Sequence, residues 1–179
     1  GAADNLKEAA KNLGCEIKFT ATADFFKAKA DAFAQKWNVD PKFSFDGATG
    51  YKKIFELDAA NKPEVVLLTT PLNFRAVHLD AAVNAGVHVF AEKGVAVDPF
   101  TTRLFLSASK KAAEKKLTIV AGTQRRHQRG YILQAMGLKQ GLIKPVLGGT
   151  VSWNGAVPWV RRRKPDMSNK AYMCNNWLN

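Results

Sequence analysis

The sequence predicts an α/β fold in which a parallel β-sheet is covered by helices. Three observations carry this. Residues 65–69 form an apolar, β-branched run cut short by Thr70-Pro71, the mark of a buried parallel strand. After Asn73, a candidate helix cap, Phe74, Val77, His78, Ala81, Ala82 and Ala85 recur at helical spacing. Gly86 stands where a left-handed residue ends a helix, and 87–91 is a second short strand. Such a strand-helix-strand crossover joins parallel strands, and open sheets of this kind bind ligands at the carboxyl ends of their strands.

The remaining elements follow in order. Residues 1–13 read as a helix with a stripe of Leu6, Ala9, Ala10 and Leu13, stopped by Gly14. In 17–24, Ile17, Phe19, Ala21 and Ala23 alternate with Lys18, Thr20, Thr22 and Asp24, as in a strand with one buried face. Residues 25–37 form a helix with Phe26, Ala30, Phe33 and Trp37 inward, where the aromatics read as core. A short strand is expected at 42–45, a short helix at 51–57 and a turn at 61–63. Asp98-Pro99 is a helix start, with a run to about Lys115 and a strand at 117–121. Lys110, Lys111, Lys115 and Lys116 crowd the end of that helix, where cations oppose its partial negative charge and need no functional reading. Beyond Gln124, 131–140 can form a helix weakened by Gly137, and 146–153 reads as a strand opening a second lobe. Residues 155–179 show no periodicity.

The 179 residues suffice for one full core and part of a second. No apolar run reaches the length of a membrane span, and no secretory leader is visible. The net charge is +12, and nine of those charges lie from Thr123 onward, where ten basic residues face only Asp166. A basic lobe suits nucleotide phosphates, acidic sugars or nucleic acid; equally it is an ordinary solvated surface. Without an RNA- or DNA-binding motif, a non-catalytic nucleic-acid-binding module ranks low. Cys15 and Cys174 are far apart with no Cys-x-x-Cys spacing, so they read as two free thiols and no metal site is supported.

Thr70-Pro71, His78 and Glu92-Lys93-Gly94, in that order and spacing, resemble the Gfo/Idh/MocA family of oxidoreductases. Gly94 stands where the family has proline. Residues 122–127 and 153–165 also resemble the family, in particular an often-exported branch, so the compartment is either cytoplasmic or exported. The resemblance implies a Rossmann-type NAD-binding domain over 1–122 and the beginning of an α/β substrate and oligomerisation domain over 123–179. It implies hydride transfer between NAD and a hydroxyl carbon of a sugar, sugar acid or cyclitol, in a homo-oligomeric parent. A NAD-dependent glycosidase of related fold is the alternative enzyme. The strand and Gly-x-Gly-x-x-Gly turn that open such a domain are not found, and Gly1 is at most a remnant of that turn. The chain is therefore expected to start inside the first helix and stop inside the second domain. The absent strand belongs between the one ending at Asp24 and the one ending at Thr70.

The resemblance also distributes roles. Lys93 is the expected catalytic residue, its ammonium hydrogen-bonding the substrate hydroxyl; partial burial suits the task by drawing its pKa toward neutrality. The bland alternative is a surface lysine. Asp24, ending the second strand of the domain, would accept from ribose hydroxyls and repel a 2′-phosphate, favouring NAD over NADP; otherwise it caps the next helix. Thr69, Thr70, Pro71 and Asn73 would line the cofactor, and Gln124 would hold its nicotinamide end. His78 is placed with the cofactor, although a histidine on an inner stripe is commonly a packing residue. Glu92 orients the ribose or Lys93, or simply ends its strand. Arg125, Arg126 and His127, with Trp159 and Arg161, extend toward a substrate cleft, an arginine-aromatic set suited to sugars; lobe packing is the alternative for the tryptophan.

Overall fold

The computed structural model describes residues 1–142, 145–152, 154–155 and 160–176. The elements run α1 (Ala2–Leu13), β1 (Thr22–Asp24), α2 (Lys27–Trp37), β2 (Ser44–Asp46), α3 (Gly50–Phe55), β3 (Val65–Leu68), α4 (Leu72–Asn84), β4 (His88–Glu92), α5 (Pro99–Glu114), β5 (Ile119–Gly122), α6 (Arg129–Lys139) and α7 (Asn169–Asn175). All strand pairs are parallel, giving a Rossmann-like α/β architecture in two sheets, β1-β2 and β3-β4-β5. The register pairs Asp24 with Asp46, Leu68 with Ala91 and Glu92 with Gly122, so the carboxyl ends lie level within each sheet. Among the described residues no ladder joins β1 to β3, the position where the sequence reading leaves out a strand.

The core lies around α4, α5 and the larger sheet. Leu79, Val83, Val87 and Val89 are buried there with Phe105, and each such side chain contributes about 1.5–3 kcal/mol. Ala76, Ala82, Ala108 and Ala112 are almost fully buried, and their small side chains let α4 and α5 approach closely. Gly86 has φ 76°, the left-handed conformation expected after α4, and Asp98 caps α5 by accepting from the Thr101 N–H at 2.7 Å. The lysines at the end of α5 reach across to α4. Lys115 Nζ donates to the carbonyls of Val83 and Asn84 at 3.0 and 3.1 Å, while Lys62 Nζ donates to the Ala85 carbonyl at 2.6 Å. These ammonium groups satisfy carbonyls that the helix end leaves without intrahelical partners.

Several expectations are corrected. The strand expected over 17–24 is reduced to β1, because its partner β2 offers only a three-residue ladder. Residues 41–43 form a 3-10 turn capped by Asp40, so β2 begins at Ser44 rather than at 42. Asn73 does not cap α4: the extended Pro71 holds that position and Asn73 is already helical. The buried stripe of α4 is Arg75, Ala76, His78, Leu79, Ala82 and Val83, because α4 packs against both the sheet and α5; Val77 is exposed. No strand forms over 146–152, where Leu147 and Val151 are each 99% exposed, since among the described residues no strand pairs with this segment; Trp153 lies outside the described residues. Helix α7 falls where the sequence showed no periodicity, and its visible signal is Ser168, whose Oγ accepts from the Ala171 N–H at 3.2 Å.

Candidate functional site

The carboxyl ends of β1, β2 and β3 border one cavity of about 280 Å³. Asp24 and Phe25 enter it from β1, Gly47, Ala48 and Tyr51 from beyond β2, and Thr69, Thr70 and Pro71 from β3. Phe74 and His78 line it from α4, Lys29 from α2, and Arg161, Cys174, Asn175 and Asn176 from the end of the chain. Each parallel strand leaves its last residues facing this end, which is why polar residues at strand termini converge here.

Asp24 Oδ1 accepts from the Phe26 N–H at 2.9 Å. Asp24 therefore closes the turn ahead of α2 without capping the helix, whose N-cap is Phe26 with no side-chain cap bond, and its second carboxylate oxygen carries the remaining acceptor capacity. Thr70 Oγ1 lies 3.3 Å from His78 Nδ1, and the His78 ring sits 4.2 Å from Tyr51 and 6.0 Å from Phe74. Burial among these rings lowers the His78 pKa from 6.5 to about 4. His78 is therefore a neutral imidazole near pH 7, able to exchange a hydrogen bond with Thr70.

A pH dependence follows. Between pH 4 and 6.5 the unfolded chain binds a proton at His78 that the folded chain does not. Stability is accordingly full above pH 6.5 and declines as pH falls toward 4, by about 3 kcal/mol. Asp31, Asp40, Asp58 and Asp98 have lowered pKa values, so their contributions fade only below about 3.8 and leave this window clear. Chemical denaturation of the natural polypeptide at pH 7 and pH 5 measures the slope. It should be largely gone in His78→Phe, and a slope that persists there contradicts the assignment.

The end-of-chain wall is held by Asn176, which is buried: its Oδ1 accepts from the Arg161 N–H at 2.7 Å and its Nδ2 donates to the Tyr172 carbonyl at 3.1 Å. Arg161 Nη1 donates to Asn175 Oδ1 at 2.9 Å. Burial pushes the Cys174 thiol pKa up, with Lys170 and Lys29 opposing the shift and the Asp24 carboxylate adding to it. Both cysteines are free thiols.

The structure therefore gathers Asp24, Thr69, Thr70, Pro71, His78 and Arg161, and leaves other expected residues outside this cavity. Lys93 and Glu92 close β4, with Glu92 Oε2 accepting from the Lys93 N–H at 3.2 Å. Lys93 is exposed rather than partly buried, since no described element covers its turn. Gly122, paired with Glu92, admits close approach: a Cβ there would meet Phe90 Cζ at 3.1 Å and Glu92 Oε2 at 3.3 Å. Gln124, Arg125, Arg126 and His127 form an exposed 3-10 turn after β5, and Arg125 Nη1 donates to the Tyr131 hydroxyl. Asn73 is exposed on α4. Trp159 lies outside the described residues. Arg161 joins Asp24 rather than Arg125 and Arg126.

Sequence reasoning missed Arg75, Lys29 and Tyr51. Tyr51 and Lys29 were seen only as helix residues, because nothing local marks which turn of a short helix faces a strand end. Among the described residues no group of His, Cys, Asp and Glu is arranged to hold a metal ion, and no helix is long and apolar enough to cross a membrane. A larger, shallow depression between α1 and Trp37 lies away from the strand ends, and its Lys7 is already placed over the Trp37 ring.

No protein-family model matches the chain. It is 26% identical over 129 residues to the inositol 2-dehydrogenase of Salmonella paratyphi B, covering 72% of this chain and 35% of that protein. Among solved structures, a 3-ketoreductase from Actinomadura kijaniata in complex with NADP and TDP-benzene is 27% identical, with a TM-score of 0.55 over 70% of this chain and 35% of the other. The WlbA dehydrogenase from Chromobacterium violaceum, in complex with NADH and UDP-GlcNAcA, superposes with a TM-score of 0.60 at 19% identity, covering 78% and 37%. The chain spans about a third of the length of these relatives.

Proposed function

Because the chain carries a Gfo/Idh/MocA-type NAD(P)-binding oxidoreductase fold, we propose that it is the nucleotide-binding part of a dehydrogenase acting on a hydroxyl carbon of a sugar, sugar acid or cyclitol. The observation that supports this most is the cavity at the ends of β1, β2 and β3, with Asp24 on one wall and Thr69, Thr70 and Pro71 on another. The donor set fits a nucleoside. Asp24 keeps an oxygen for a ribose hydroxyl, the threonines offer hydroxyls, and Tyr51 and Phe74 offer flat apolar faces. Residues 1–122 form the nucleotide domain, and 123–179 open the substrate domain.

When bound, the nicotinamide supplies the hydride acceptor or donor. The chain's own residues do the rest. Lys93 exchanges a proton with the substrate hydroxyl, Glu92 fixes the Lys93 backbone, and Gln124 holds the nicotinamide end. Asn73 stands on the first turn of α4 beside the cofactor-lining residues. Arg125 and Arg126, with Trp159, grip a hydroxylated ring, while Arg161 closes the cavity near Asp24. The assembly that carries out this reaction is a homo-oligomer.

The finer proposal is a preference for NAD over NADP. The Asp24 carboxylate opposes a 2′-phosphate, although Lys29 in the same cavity weakens that repulsion. In the natural polypeptide NADH should bind more tightly than NADPH, and Asp24→Ser should narrow the gap about tenfold. Calorimetric titration of both nucleotides decides it; equal binding by the unmodified protein removes the role given to Asp24. The reaction itself is tested by following NADH formation with a panel of cyclitols, sugars and sugar acids. Absence of turnover with every member contradicts the proposed substrate class.

A further inference from the structure

We propose that Arg75 is a positioning residue whose buried guanidinium ties the carboxyl end of β3 to the turn after β4, and thereby sets where Lys93 stands. The inference rests on the role given to Lys93 above. Arg75 is 0% exposed. Its Nη2 donates to the Thr70 carbonyl and its Nη1 donates to the Gly94 carbonyl. Its Nε is buried without a hydrogen-bond partner. Burial draws the Arg75 pKa down and the Glu92 carboxylate draws it back up.

A buried arginine is costly, and an apolar side chain of similar volume would pack at least as well if filling were its only task. The two groups it does bond are informative. Thr70 and Gly94 lie just beyond paired strands, where the ladder offers their carbonyls no N–H, so the guanidinium satisfies acceptors on two different segments at once. The planar fork spans the two segments with separate nitrogens, Nη2 toward Thr70 and Nη1 toward Gly94; a lysine has all three of its donors on one nitrogen and does not reproduce that spread. One segment carries Thr69, Thr70 and Pro71 of the cavity, and the other carries Lys93. Arg75 touches neither substrate nor cofactor under this reading. It sets the spacing between the cofactor wall and the proton-transfer group. His78, one helical turn further along α4, reaches Thr70 alone, so it does not share this role.

The test uses the natural polypeptide that carries this chain. Trypsin cleavage after Lys93 reports the freedom of the turn directly and needs no activity. Arg75→Met should raise that rate at least about tenfold, and Arg75→Lys should fall between it and the unmodified protein. If Arg75→Met does not fold, Arg75→Lys alone decides, and an unchanged cleavage rate overturns the inference. Turnover supplies the second readout. Arg75→Met should lower kcat by about 10–100-fold with KM for the nucleotide within about threefold, the signature of a displaced group rather than a lost binding contact. In a Lys93→Ala background it should add less than about twofold, because it acts through that residue. Millimolar guanidinium ion should restore part of the kcat of Arg75→Ala. Independent, multiplying losses in the double variant overturn the inference. Should Lys93→Ala leave turnover untouched, the catalytic reading fails instead, and the cleavage rate still decides whether Arg75 holds the turn.

Discussion

Replacing Lys93 by alanine in the natural polypeptide is expected to cut turnover by two to four orders of magnitude while leaving NADH affinity nearly unchanged, the usual range for a lost acid-base group being roughly 10²–10⁴. The argument is positional. Lys93 follows the last paired residue of β4, and its backbone N–H is held by Glu92. It stands away from the cavity lined by Asp24 and His78. A residue placed there contributes little to holding a nucleoside, so its loss should appear in kcat rather than in nucleotide binding. Stopped-flow turnover beside fluorescence titration of NADH separates the two. Turnover within a few-fold of the unmodified protein removes Lys93 from the mechanism, and a matching loss of NADH affinity makes it a binding residue.

The second large effect concerns the divided sheet. Among the described residues β1 and β3 have no ladder between them, and the sequence holds no Gly-x-Gly-x-x-Gly turn to bring backbone N–H groups to a pyrophosphate. Among the described residues β1 and β3 each keep one edge without a ladder partner, and an unpaired backbone group costs about 1–3 kcal/mol where it is buried, against a domain stability of about 5–15 kcal/mol. The 179-residue chain studied alone is therefore expected to be marginally stable or aggregation-prone and to show no NADH binding at micromolar concentrations. A parallel strand followed by a glycine-rich turn, added ahead of Gly1, should raise the melting temperature and bring binding into the micromolar range. Thermal unfolding and tryptophan quenching measure both. Saturable micromolar binding by the bare chain contradicts this account of the sheet.

The crossover from β3 through α4 to β4 was legible because its signals are local: a β-branched run, a helical period, a glycine at the turn. Helix α5 was legible for the same reason, through Asp98-Pro99. The extent of β1 was not, because the alternation of 17–24 describes a strand's faces while its ladder length depends on β2, a partner about twenty residues away. The strand expected over 146–153 is absent over its described residues, 146–152, on the same physics, since apolar β-branched residues form a strand only beside another strand. At the site, the strand-end rule marked Thr69-Thr70 and Glu92-Lys93 alike, and only the first pair lines the cavity; Asp24 and Pro71 were placed through the family resemblance. Arg75 could not, because an arginine on a helix reads as solvent-facing until its carbonyl partners, Thr70 and Gly94, are known. His78 was correctly on the inner face, but its neighbours Tyr51 and Phe74 come together only through the packing of α3 against α4.

Hydrogen exchange on the natural polypeptide, with and without saturating NADH, tests directly whether the cavity is the nucleotide site. Peptides spanning 22–29, 47–51 and 69–78 should gain protection together, because they form its walls. Saturable NADH binding that leaves all three unprotected would place the nucleotide elsewhere and contradict the account.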